Sequence, residues 1–138
     1  MIQSLSLINN ITQIPLLTEW VATVGKSLQL SDASTFQLNL ALEEAVVNVM
    51  NYAYPQMQGM PILLTVETRS VKDSVFFTLI DEGIPFDPTT KAMPDITLSA
   101  TERPIGGLGI FLIEQLMESV TYKRENCKNI LTMKYRIK

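Results

Sequence analysis

Glu44, Asn48 and Asn51 stand out among the polar side chains that break a largely apolar run between Phe36 and Tyr54, FQLNLALEEAVVNVMNYAY. The run reads as one long helix. Leu38, Leu40, Leu42, Val46, Val47, Val49 and Met50 lie almost all round it, the pattern of a helix buried between other layers. Glu44, Asn48 and Asn51 follow i, i+4, i+7 and share one stripe, about 60° wide at ~100° per residue. Glu43 lies off that stripe and is expected in solvent. A carboxylate and two amides on a buried helix cost free energy unless something pairs with them. One reading is a helix edge carrying a hydrogen-bonded Asn. The other is an acid/base carboxylate one turn from a ligand for a hard cation.

Two further patches bear on that choice. Asp81-Glu82-Gly83, followed by Phe86-Asp87-Pro88, closes a β-rich run. Such a triplet is often only a turn, but a carboxylate held at a strand end can accept a hydrogen bond from an exocyclic amine such as that of adenine. Gly83 would then leave room for the base. Gly106-Gly107-Leu108-Gly109 precedes a helical pattern. It can be a plain loop-to-helix junction, or a set of converging N–H groups that meets an anion at the positive end of a helix. No Lys-Ser/Thr pair follows, so this is not a Walker loop. An Asn suits Mg²⁺, which keeps several waters and takes other ligands from substrate phosphates. Asn48 would hold the metal, the glycines the phosphates, and Asp81 the base. Glu44 would take a proton from an attacking hydroxyl.

The elements that must position these residues can be read in order. Residues 3–12 form a weak first strand, expected at an edge. Pro15 opens a helix over Leu16–Leu28, and the turn Leu30-Ser31-Asp32 offers a good N-cap for the long helix. Ile62–Thr68 and Ser74–Ile80 form a hairpin about Lys72-Asp73. Residues 84–105 hold four of the seven prolines and form a long loop, which in a small domain is functional or disordered. A helix over Ile110–Met117 and two strands, Ser119–Arg124 and Ile130–Ile137, complete the chain, the strands joined by 125–129. The expected fold is α/β: a two-layer sandwich with a mixed, largely antiparallel sheet and helices on one face, formed by residues 1–138 as one domain.

Composition narrows the function. With a net charge of −3 and a pI near 4.9, nucleic acid is a poor main partner. No run approaches the ~20 apolar residues of a membrane span, and the N-terminus lacks the basic n-region of a signal peptide. The single cysteine, Cys127, fits a reduced cytoplasm and a passive role. The absence of histidine excludes Ser-His triads, His-ligated zinc and autophosphorylation on a histidine of this chain.

Together, EEAVVNVMNYAY, LIDEGIPFDP and GGLGIFLIEQL resemble the N box and two glycine boxes of the gyrase, chaperone, histidine-kinase and mismatch-repair ATPases, which share the Bergerat ATP-binding fold. The likeness covers about residues 36–137. Within that superfamily the chain most resembles the small anti-sigma-factor serine kinases. That resemblance implies ATP and Mg²⁺ as cofactors, Glu44 as catalytic base and Asn48 as metal ligand. Asp81, Gly83 and Phe86 fall at the adenine site and Gly106, Gly107, Leu108 and Gly109 at the phosphates. Residues 84–105 match the lid, from which Arg103 could reach the γ-phosphate or a partner. It also implies an anti-anti-sigma (STAS-like) protein as substrate, a sigma factor as alternative partner, and frequent homodimers. Two positions depart from the pattern. Tyr52 stands where many relatives have histidine, and Lys128-Asn129 stands where a Gly-Thr pair is common. A nucleotide-gated binding module without turnover remains the alternative, and a detached histidine-kinase catalytic domain is a third possibility.

Overall fold

The computed structural model describes residues 2–54, 59, 61–68, 72–90 and 107–137. Five strands, β1 (Ile2–Ile8), β2 (Pro61–Thr68), β3 (Ser74–Asp81), β4 (Ser119–Glu125) and β5 (Lys128–Arg136), form one sheet in the order β1-β2-β3-β5-β4. Every pair is antiparallel, so the expected mixed character is absent among the described residues. The first strand lies at an edge as expected, and ends at Ile8 rather than at residue 12. No described helix is long and apolar enough to cross a membrane.

Register aligns the side chains of one face into rows. Leu5, Leu64, Leu79, Leu131 and Tyr122 make one row across all five strands, and Leu7, Ile62, Asp81, Asn129 and Arg124 make the next. Strand residues alternate between faces, and the buried apolar ones all fall on this face, beneath helices α1 (Ile14–Ser27), α2 (Asp32–Asn48) and α3 (Gly107–Leu116). Ile8 and Leu63 on the opposite face are exposed.

Helix α2 packs against both of the other helices. Its start is fixed by Ser31, whose hydroxyl oxygen accepts the Ser34 N–H at 3.1 Å. Leu38, Ala41, Leu42, Ala45 and Val46 are buried at i, i+3, i+4, i+7, i+8. Near the end of α1, Gly25 admits close approach: a Cβ there would lie 2.5 Å from Thr35 Oγ1 on α2.

Past Asn48 the winding changes. Val49–Ala53 is a π-turn, not a continuation of the α-helix. The wider turn breaks the phase of the i, i+4, i+7 stripe, so Asn51 is exposed while Glu44 and Asn48 stay together. Glu43 is half-buried rather than solvated, and its Oε2 accepts from Asn39 Nδ2 at 3.3 Å.

Candidate functional site

The π-turn delivers the end of α2 to the segment that follows β3. The Ala53 carbonyl accepts the Ile84 N–H at 2.9 Å. The Tyr54 hydroxyl accepts the Glu82 N–H at 2.6 Å. Gly83 is held against Ala53 so tightly that a Cβ would lie 2.4 Å from the Ala53 oxygen. The space that a side chain at Gly83 would take is thus filled by the π-turn.

Asp81 ends β3 on the buried face, 3% exposed. Its Oδ1 accepts the Gly83 N–H at 2.9 Å and Asn129 Nδ2 at 2.8 Å. No hydrogen bond among the described residues falls on Oδ2. Burial raises the Asp81 carboxyl above its ordinary value; the bonds from Asn129 and Gly83 and the charge of Arg124 oppose that rise.

Asn48 is 2% exposed, and its Oδ1 is buried without a hydrogen-bond partner among the described residues. Such an orphan is uncommon and costly in a folded protein. It lines a hollow with Asp81, Phe86, Ile113, Tyr122 and Asn129, whose free volume of about 10 Å³ is room for about one water. Glu44 is half-buried one turn earlier. Burial first, and the neighbouring Glu43 carboxylate second, raise its carboxyl above the ordinary value. Phe86 is half-buried and stacks on Tyr52, with ring centroids 5.2 Å apart and planes at 23°. Tyr52 thus packs at the place where a histidine role is lost. Gly107, Leu108 and Gly109 form the first turn of α3. Arg103, Gly106 and the 91–105 part of the expected lid lie outside the described residues.

Asn129, named from the sequence only as part of the Lys128-Asn129 departure from a Gly-Thr pair, was given no role there. Residues 125–129 were expected as a connector, whereas Asn126 and Cys127 alone make the turn, with φ of 53° and 61°. Positive φ at both central residues marks a type I′ hairpin. This shorter turn puts Asn129 inside β5, directly beside Asp81.

Residues 8–135 match the family model described as histidine kinase-like ATPase domain. The chain belongs to that family. The ATPase domain is 26% identical over 114 residues to the serine/threonine-protein kinase BtrW of Bordetella bronchiseptica, covering 83% of this chain and 79% of the relative. It is 32% identical over 102 residues to the serine-protein kinase RsbW of Staphylococcus aureus, covering 70% of this chain and 62% of the kinase. A structure of the RsbU and RsbW domains of a Mycobacterium tuberculosis protein superposes on 99% of this chain and 32% of its own, with a TM-score of 0.69 at 12% identity. The Acinetobacter baumannii histidine kinase AdeS gives a TM-score of 0.51 at 14% identity over 96% of this chain and 68% of its own. Both structural likenesses show the fold, and the chain spans less than two thirds of the staphylococcal relative.

Proposed function

We propose that the protein is a cytoplasmic ATP- and Mg²⁺-dependent protein-serine kinase of the anti-sigma type, acting on a serine of an anti-anti-sigma partner. The observation that carries this reading is the buried Oδ1 of Asn48, unpartnered among the described residues, one helical turn from a carboxylate made more basic by burial. The kinase names of the similar chains support it. An amide oxygen is a hard neutral donor suited to Mg²⁺, which tolerates few protein ligands. When bound, the ion supplies charge neutralisation on the phosphates. Asn48 holds it through Oδ1. Asp81 accepts the exocyclic amine of adenine at Oδ2, and the N–H groups opening α3 at Gly107–Gly109 meet the phosphates. Glu44 accepts the proton of the serine hydroxyl at its carboxylate. A purine enters as Phe86 and Pro88, which line the hollow from the segment after β3, give way.

The test is phosphoryl transfer from ATP to a purified anti-anti-sigma domain. Glu44→Gln is expected to lower transfer by about 10²–10⁴-fold while nucleotide still binds. The wild-type rate should fall as pH drops through the Glu44 pKa, above the ordinary 4.5, and that acid limb should vanish in the variant. Tight nucleotide and partner binding with no transfer would favour a binding module instead. An acid-labile phosphate on the partner would point to histidine phosphorylation.

A further inference from the structure

Asn129 is a fully used side chain. Nδ2 donates to Asp81 Oδ1 and to the Ile84 carbonyl, both at 2.8 Å. Oδ1 accepts the Phe86 N–H at 3.2 Å, Arg124 Nη1 at 3.1 Å, and the Tyr122 hydroxyl. The orientation of the amide is fixed by these partners, because a flipped amide would set NH₂ against three donors and the carbonyl against two acceptors. Arg124 Nη1 also donates to the Gly83 carbonyl at 2.9 Å. One side chain therefore ties together the end of β3, the 84–86 segment and the edge strand β4.

We propose that Asn129 is a positioning residue that sets base selectivity through Asp81. This rests on the nucleotide reading above and deepens it. With both of its donors engaged, Asn129 has none left for a ligand, so its effect passes through the carboxylate it holds. Oδ1 of Asp81 is filled by Gly83 and Asn129, and rotation of the carboxylate would break both bonds. Oδ2, on which no hydrogen bond among the described residues falls, stays as a fixed acceptor on a residue that lines the hollow. A fixed acceptor takes the 6-amino group of adenine and opposes the 6-oxo group of hypoxanthine. A carboxylate released by loss of Asn129 can instead swing to the N1–H of hypoxanthine, and selectivity falls. An unmade hydrogen bond in a site built to receive one is the stronger source of discrimination.

The experiment measures affinities for Mg-ATP and Mg-ITP by calorimetry on the full chain. Wild type should prefer ATP by about tenfold or more. Asn129→Ala should reduce the ATP/ITP ratio by about tenfold, chiefly by weakening ATP, and Asp81→Asn should bring the ratio to one or below, because its NH₂ replaces the Oδ2 acceptor. In the double variant the ratio should not change beyond that of Asp81→Asn, since Asn129 acts only through the carboxylate. Equal weakening of ATP and ITP in Asn129→Ala would overturn the positioning role while leaving the nucleotide reading intact. A wild type that binds neither nucleotide would overturn both. Should Asn129→Ala not fold, Tyr122→Phe serves in its place. It removes one of the three donors that orient the Asn129 amide, and a ratio lowered by about threefold supports the role, whereas an unchanged ratio overturns it.

Discussion

Val66, Phe77 and Met133 lie side by side on the inner face of β2, β3 and β5, each fully buried. Four residues along the same strands lie Ile62, Asp81 and Asn129, 0%, 3% and 4% exposed. Burial is nearly the same in the two rows, and the chemistry is opposite. In the apolar row, every side chain removed from water stabilises the fold. In the polar row, a carboxylate is desolvated and an amide has to be surrounded by partners before its burial is tolerable. A sheet that needed only stability would continue the apolar row to its end. The polar row is what a ligand would recognise, and it is maintained at some cost to the free protein.

The largest effect that separates the two rows is expected at Phe77. Phe77→Ala should cost about 3–5 kcal/mol of stability, seen as a lower denaturation midpoint. ATP affinity of the folded fraction should be nearly unchanged, because Phe77 is two rows from Asp81. Asp81→Asn should do the reverse. The variant keeps an oxygen for the Gly83 and Asn129 donors and removes the buried charge, so the apo fold should be as stable as wild type or more so. Adenine binding should weaken by about 1.5–3 kcal/mol. If both variants lost stability alike, the contrast between the rows would be false.

Between these lies Gly83→Ala. Its methyl would meet Ala53 backbone oxygen at 2.4 Å and Ala53 Cβ at 2.7 Å, both atoms held in the π-turn. An overpacked site of this kind costs about 1–3 kcal/mol. Because Gly83 N–H anchors Asp81 Oδ1, ATP affinity should fall with stability. Thermal melts with and without nucleotide separate the two losses: a variant as stable as wild type would show that the π-turn yields.

Much of the frame was legible in local chemistry. An N-cap within Leu30-Ser31-Asp32, Pro15 in the first turn of α1 and the turn at Lys72-Asp73 follow from residue type and position. Glu44 and Asn48 could be placed on one helix face because a single α-turn separates them. The π-turn was hidden, since no side chain in Val49–Ala53 announces a change from i+4 to i+5 bonding. Asn51 was therefore misplaced, and the close contact of Gly83 with Ala53 was not foreseen, because it depends on where Ala53 ends up. Asn129 was hidden for a different reason. An Asn-Gly turn would have advertised a two-residue hairpin, whereas Asn126-Cys127 puts a cysteine at positive φ, where few non-glycine residues sit. Without that turn the register of β5 slides, and the residue beside Asp81 cannot be named.

The smallest expected effect concerns protons at Asp81. Burial raises its folded pKa above the ordinary 3.8, while the unfolded chain keeps the ordinary value. Between those two values the folded state binds more protons than the unfolded state, so this group's contribution to stability falls as pH rises through the window and is level above it. Asp81→Asn lacks that dependence. On lowering the pH from neutral, wild type should therefore gain stability relative to the variant, even as both approach acid denaturation. ATP affinity of wild type should move in the opposite sense, because protonation can leave a hydroxyl facing the amine in place of an acceptor. Melting temperatures and nucleotide titrations of both proteins across the acid range test the pair together. Parallel melting curves at every pH would mean that the carboxylate is not desolvated in the free protein, and the cost assigned to the polar row would have to come from Asn48 instead.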